Sequence, residues 1–239
     1  MNKSLLDYYN KFYLNHDKEM PAPIRLSHIV RSRHEMAVML SMRRNGRYLE
    51  IGPGSSAVAL TVLPCYNELT LVEISPSSVD LLRRWFDRES KVKVLQANIE
   101  SDLLPIPDNS IDTVLLIDVI EHMVDPFTAI SEIYRVMKPY GQLIINTPNI
   151  AKWTRRIKLL CGVFPRTGGD AGSGATGSGL LDGGHLHYFT FDSLAQLCRT
   201  VGFADVERHG YGDRNLRTMW WLSQAFPTLF SECCVAAIK

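Results

Sequence analysis

The chain has 239 residues, 46% of them hydrophobic and 21% charged, which suits one well-packed α/β domain with some decoration and leaves little room for a second full domain. A net charge of +1 gives no global pull toward nucleic acid, and the N-terminal stretch lacks the continuous apolar run of a signal peptide. The most apolar segment, 114–120, is short and interrupted by Asp118, so no membrane span is expected. Five cysteines without C-x-x-C spacing point to a reducing compartment, with cytoplasm as the default.

In chain order, segments 5–14 and 26–44 read as helices on either side of Met-Pro-Ala-Pro-Ile, and we take 1–46 as a helical cap that could cover a ligand. The first predicted strand is 47–51, followed by the glycine turn Gly52-Pro53-Gly54. The second, Glu-Leu-Thr-Leu-Val-Glu-Ile, leads into Ser75-Pro76, where serine can cap and proline can take the first helical position. Strand three is 91–98. Strand four, 110–118, is a near-continuous apolar run of the kind buried on both faces. Asp125-Pro126 repeats the cap-then-proline signal, and Phe127, Ile130, Ile133, Tyr134 and Met137 keep helical spacing up to Lys-Pro-Tyr-Gly. Strand five is then expected at 142–148.

Half of all the glycines fall within 168–184, which predicts a mobile loop. A helix closed by Gly202 follows, then strands at 204–210 and 232–239, with a helical insertion at about 214–228 between them. The alternation predicts a three-layer α/β fold with a mostly parallel, doubly wound sheet over 47–239.

The glycine turn fits the dinucleotide pattern, since Gly52-Pro53-Gly54-Ser55-Ser56-Ala57 reads G-x-G-x-x-A. Glu50 sets a carboxylate at the strand end beside it. That carboxylate would repel a pyrophosphate but favour a ligand carrying an ammonium or sulfonium, such as S-adenosylmethionine. Glu73, ending the second strand, can hold a ribose diol in either case.

Glu-Ile-Gly-Pro-Gly at 50–54, the segment 104–126 and the segment 132–149 together resemble the class I S-adenosylmethionine-dependent methyltransferases, with the likeness spanning about 47–148 and a weaker match in the later His-Leu-His-Tyr-Phe-Thr. The resemblance implies a seven-stranded sheet of order 3-2-1-4-5-7-6 with strand seven antiparallel. It also implies that Glu50, Gly52 and Gly54 surround the methionine portion of the cofactor. Glu73 and Ile74 would then lie at the ribose, Asn98 and Ile99 at the adenine, and Asp118 near the transferred methyl. Asn98 departs from the usual Asp, although its amide oxygen can accept from an amino group. Ser56 stands where a third glycine is frequent.

His122, directly after the cofactor strand, is the best candidate base for a hydroxyl acceptor, with Asp118 beside it; a loop histidine bonded to the next helix start is the plainer role. Asp118, Glu121 and His122 form D-x-x-E-H, to which His185 or His187 could return. Such a set resembles the divalent-metal sites of quinone-precursor and small-RNA O-methyltransferases, although the first carboxylate is Asp and the distal motif differs. A divalent metal is an option the sequence does not favour, and the two histidines can equally shape a loop exit.

At the substrate end, Lys152, Arg155, Arg156 and Lys158 alternate with Trp153, Ile157, Leu159 and Leu160, which could meet an anionic, lipid-linked or membrane-surface substrate or form a packed helix with a basic outer face. Trp220, Trp221 and Phe226, and Tyr8, Tyr9 and Tyr13, could line or close the site, with packing as the commoner role. The expected activity is methylation of a small-molecule hydroxyl, with nucleic acid disfavoured. A nicotinamide-dependent oxidoreductase and a non-catalytic binding protein of the same fold are the alternatives.

Overall fold

The computed structural model describes residues 19–168, 182, 184–212 and 220–239. Segment 5–14 with its tyrosines, most of 168–184 and the start of the 214–228 insertion lie outside the described residues. Among the described residues the strands are β1 (Arg47–Ile51), β2 (Glu68–Glu73), β3 (Val92–Gln96), β4 (Ile111–Ile117), β5 (Met137–Thr147), β6 (Val206–Arg208) and β7 (Cys233–Ile238). They form one sheet in the order β3-β2-β1-β4-β5-β7-β6, as expected. All neighbours are parallel except β7, which is antiparallel to both β5 and β6.

The central strands are buried on both faces, and their alternation divides the core in two. Leu49, Ile51, Val114, Leu116, Leu143 and Ile145 pack on one side with α4 (Pro126–Val136) and α6 (Phe191–Val201). Tyr48, Leu69, Leu71, Leu115 and Ile144 pack on the other with α1 (Arg33–Ser41), α2 (Ala57–Val62) and α3 (Pro76–Trp85). Each fully buried Leu or Ile contributes about 1.5–3 kcal/mol relative to exposure.

The helix starts follow the capping chemistry. Ser75 and Asp125 cap α3 and α4 with proline at the first helical position. Thr190 and Ser193 form a reciprocal capping box at α6. The helix expected over 26–44 is confined to α1, because Ser32 takes an extended conformation and its hydroxyl accepts from the Glu35 N–H.

Strand five begins earlier than its sequence signal. α4 ends at Val136 and Met137 turns directly into β5, pairing with Ile111. Gln142 next pairs with Thr113, so β5 takes five steps against two on β4 and loops outward around Tyr140, whose φ is +64°. The inserted segment forms α7 (Trp220–Ala225) and α8 (Pro227–Phe230), split at Phe226 by the proline that follows it.

The strand order reverses at β1, with β2 on one side and β4 on the other. In such sheets a crevice opens beyond the carboxyl ends of the strands at this point. Glu50, Glu73 and Asp118 therefore reach the same end of the sheet.

Candidate active site

β1 delivers the chain into a tight turn. Gly52 has φ +62° and donates its N–H to the Val72 carbonyl at 2.8 Å, and Gly54 has φ +52°. A Cβ on Gly52 would lie 2.6 Å from Val119 Cγ2, so the segment after β4 rests directly on the glycine turn. Gly52→Ala combines that clash with a left-handed backbone and is expected to cost about 1–2 kcal/mol, a Tm loss of a few degrees in thermal unfolding. Ser56 also adopts a left-handed conformation, φ 56°, with a buried hydroxyl that has no partner among the described residues. A glycine there would carry no such strain.

Glu50 is buried, and the Tyr48 hydroxyl donates to its Oε2 at 2.9 Å. Burial pushes the Glu50 carboxyl up to about 8, against a smaller opposing effect of the Tyr48 hydrogen bond. Tyr48 was not anticipated, although its position two residues earlier on the same strand face was the signal for it.

Glu73 is also buried, and its Oε1 accepts from the N–H groups of Ile74 at 2.8 Å and Ser75 at 3.0 Å. Its carboxylate thus shapes the turn that carries it. Asn98 Oδ1 accepts from the Glu100 N–H at 3.1 Å, so that oxygen is engaged within its own loop, and Ile99 is buried in the apolar core.

Asp118 closes β4 with φ +52° and pairs with Arg33 Nη1 of α1 at 2.8 Å. Burial raises its carboxyl to about 6, with Arg33 pulling it down and Glu232 pushing it up. Arg33 was missed because it precedes the motif region and carries no local signal.

Beyond Asp118 a short 3-10 turn, Ile120–His122, brings Glu121 and His122 together. Glu121 is 2% exposed; its Oε2 accepts from Thr147 Oγ1 at 2.9 Å, while Oε1 has no hydrogen-bond partner among the described residues. Burial first, and Asp118 second, raise its carboxyl to about 8.

His122 Nδ1 lies 3.2 Å from the Gly184 carbonyl, which can only accept. That contact assigns the proton to Nδ1 and leaves the lone pair on Nε2. Burial lowers the His122 pKa below its ordinary value, with the Gly184 bond opposing, so the ring is neutral near pH 7. His185 completes the group. Its ring meets His122 edge-on at 4.7 Å between centroids, its Nδ1 lies 2.7 Å from Thr167 Oγ1, and its Nε2 lies 4.0 Å from Glu121 Oε1. Burial, followed by His122, lowers His185 to about 4. With His185 neutral and Glu121 protonated at pH 7, this last contact is no ion pair.

His187 stands apart. It is half-buried on the other side of Leu186, with Nε2 3.4 Å from the Val124 carbonyl, so of the two histidines the fold brings His185 to His122.

The basic segment is partly spent inside the chain, since Lys152 and Arg155 both pair with Glu232, at 3.1 and 2.6 Å. α5 (Trp153–Leu160) buries none of its residues and leaves Ile157, Leu159 and Leu160 exposed. Trp221 and Phe226 are also about half exposed. No described helix is long and apolar enough to cross a membrane.

Residues 49–145 match the family described as a methyltransferase domain. A probable S-adenosylmethionine-dependent methyltransferase of Mycobacterium tuberculosis is 34% identical over 101 residues, covering 42% of this chain and 35% of that protein. The chain thus spans about a third of the length of that relative. A ubiquinone biosynthesis O-methyltransferase of Xanthomonas euvesicatoria is 28% identical over 128 residues, or 53% of this chain and 50% of that protein. Among solved structures, an Archaeoglobus fulgidus SAM-dependent methyltransferase superposes with a TM-score of 0.58 at 18% identity, covering 87% of this chain and 95% of that one. At that identity the likeness speaks for the fold.

Proposed function

We propose that the chain, whose residues 49–145 match a methyltransferase domain, moves a methyl group from S-adenosylmethionine to a hydroxyl of a small-molecule acceptor. The observation that carries the cofactor reading is Glu50. A buried carboxyl with one hydroxyl partner beside a glycine turn fits a ligand that brings positive charge and no phosphate, and it disfavours a pyrophosphate.

Gly52 and Gly54 would hold the methionine portion, Glu73 and Ile74 the ribose, Asn98 and Ile99 the adenine, and Asp118 the end nearest the methyl. When bound, the cofactor supplies an electrophilic methyl on a positively charged sulfur. The chain's own task is to align acceptor with methyl and to manage the acceptor's proton. Val119 on the Gly52 turn brings the His122 segment next to the cofactor loop, and the Nε2 lone pair of His122 is the group we assign to the acceptor hydroxyl. The O-methyltransferase among the relatives supports a hydroxyl acceptor by its name.

Glu50 also couples binding to pH. Its carboxyl is protonated in the free protein up to about pH 8, and a cation held beside it favours the ionised form. Binding therefore releases a proton, and affinity for S-adenosylhomocysteine is expected to rise with pH between about 5 and 8. Glu50→Gln is expected to flatten that slope and to bind more weakly; titration calorimetry at several pH values measures both. An unchanged slope in the variant would remove Glu50 from the ligand.

The activity itself is tested with cofactor labelled in its methyl group and an acceptor panel pairing each hydroxyl compound with its amine analogue. Label transferred to hydroxyls supports the reading. Transfer confined to the amines would move the chemistry to nitrogen.

A further inference from the structure

We propose that Arg33 is a specificity residue for the charge on the cofactor's sulfur, tilting the site away from cationic S-adenosylmethionine and toward the neutral product S-adenosylhomocysteine. Its setting rests on the methyl-transfer reading, which puts Asp118 at the end of the cofactor nearest the methyl.

Arg33 opens α1 and brings Nη1 to 2.8 Å from Asp118 Oδ2. Among the described residues this is the one ion pair that Asp118 makes. The neighbouring charges are engaged elsewhere, since Lys152 and Arg155 both hold Glu232, and Glu50 meets the Tyr48 hydroxyl. The carboxylate at the methyl end of the site therefore has its own cation before any ligand arrives.

The backbone around Arg33 is fixed on both flanks. Upstream, the Val30 carbonyl accepts from the Gly212 N–H at 2.9 Å, Glu35 Oε2 accepts from the Arg31 N–H at 2.9 Å, and Ser32 caps the helix. Downstream, Met36, Val38 and Leu40 of α1 lie in the core. Rotation of the arginine side chain is what remains to separate the pair. That side chain is 46% exposed and Asp118 26%, so water screens their charges only in part.

A sulfonium brought to this carboxylate is a second cation where one already balances the charge. Repulsion from Arg33 then offsets the attraction of Asp118. Burial reinforces the competition, because it holds the Asp118 carboxyl up to about 6 even with Arg33 beside it. A carboxylate so poorly solvated gains from any cation next to it, and Arg33 takes that place. During transfer the methyl carbon bonds to the acceptor oxygen, the C–S bonding pair stays on sulfur, and the acceptor's proton leaves to His122. The sulfur charge is thereby lost, and the repulsion with it. Arg33 thus favours the product state and makes the chain sensitive to its own product.

The two ligands share the same ammonium, carboxylate, ribose and adenine. Glu50 and Glu73 act on both alike and drop out of the ratio of the two affinities, which isolates the charge on sulfur. For unit charges about 8 Å apart in an effective dielectric of about 20–40, removing one changes that ratio about 5- to 30-fold.

The test is titration calorimetry at pH 8 and low salt on the wild-type chain, Arg33→Met, Arg33→Lys and Asp118→Asn, each with S-adenosylmethionine and with S-adenosylhomocysteine. Arg33→Met is expected to improve S-adenosylmethionine binding relative to S-adenosylhomocysteine by about 5- to 30-fold, an effect that shrinks at high salt. Arg33→Lys keeps the charge and is expected to stay near the wild-type ratio. Asp118→Asn is expected to move the ratio the other way.

A ratio within twofold of wild type in Arg33→Met overturns the proposal, including the case in which both affinities fall together and Arg33 is scaffold. So does an equal change in Arg33→Lys, or an unchanged ratio in Asp118→Asn. S-adenosylhomocysteine binding with an unchanged ratio removes this inference alone and leaves methyl transfer standing. Failure of the folded wild-type chain to bind either ligand removes both.

Discussion

Glu73→Ala is expected to weaken binding of S-adenosylhomocysteine about 10²- to 10⁴-fold, from two charge-assisted hydrogen bonds to a ribose diol worth about 1.5–3 kcal/mol each. The same carboxylate also accepts from the Ile74 and Ser75 N–H groups, so alanine orphans two backbone donors at the end of β2. That adds about 1–3 kcal/mol of lost stability, which by itself could be mistaken for lost binding. Glu73→Gln separates the effects. Its amide oxygen can still accept from the turn, while the negative charge and the second acceptor are gone. Calorimetric affinity reduced about tenfold in the glutamine variant, with its melting temperature close to wild type, would mark a ligand contact. Wild-type affinity in both variants would leave Glu73 a turn residue only.

The second large effect is on turnover. His122→Ala is expected to lower kcat by about 10²–10⁴, the usual contribution of a positioned proton-transfer group, with S-adenosylhomocysteine affinity nearly unchanged. Direct proton removal from the acceptor's oxygen runs through Nε2, which alanine deletes. Because burial holds the His122 pKa below 6.5, its lone pair is available at neutral pH, and wild-type kcat at saturating cofactor is expected to fall only on the acid side of that value. Cofactor affinity falling in step with kcat would instead place His122 in the scaffold.

Most of the sheet was legible because its central strands are buried on both faces and so read as apolar runs, and because Ser75-Pro76, Asp125-Pro126 and Thr190 announce the helices that follow. The start of β5 was not, since Met137 continues the helical apolar spacing of α4 while its backbone is already extended. Strand and helix periodicities coincide at such a junction. At the site, Glu50, Gly52, Glu73 and Asp118 were legible as strand ends and turns, for these are local features. Partners that come from distant segments were not. Arg33 reaches Asp118 from α1, and Thr167 and Asp182 support His185 from the edges of the glycine-rich stretch. Nor could spacing choose between His185 and His187. Alternation puts both on one face of a strand, but His185 lies in a turn, its N–H bonded to the Asp182 carbonyl, where alternation does not apply.

The central claim, that a buried Glu50 beside the Gly52 turn selects a cationic, phosphate-free cofactor, is tested most directly by calorimetric titration of the purified chain with S-adenosylhomocysteine and, in parallel, NADH. The account predicts saturable one-to-one binding of S-adenosylhomocysteine, weakened in Glu73→Ala, and none of NADH. Binding of NADH without S-adenosylhomocysteine, by protein shown to be folded, would contradict it.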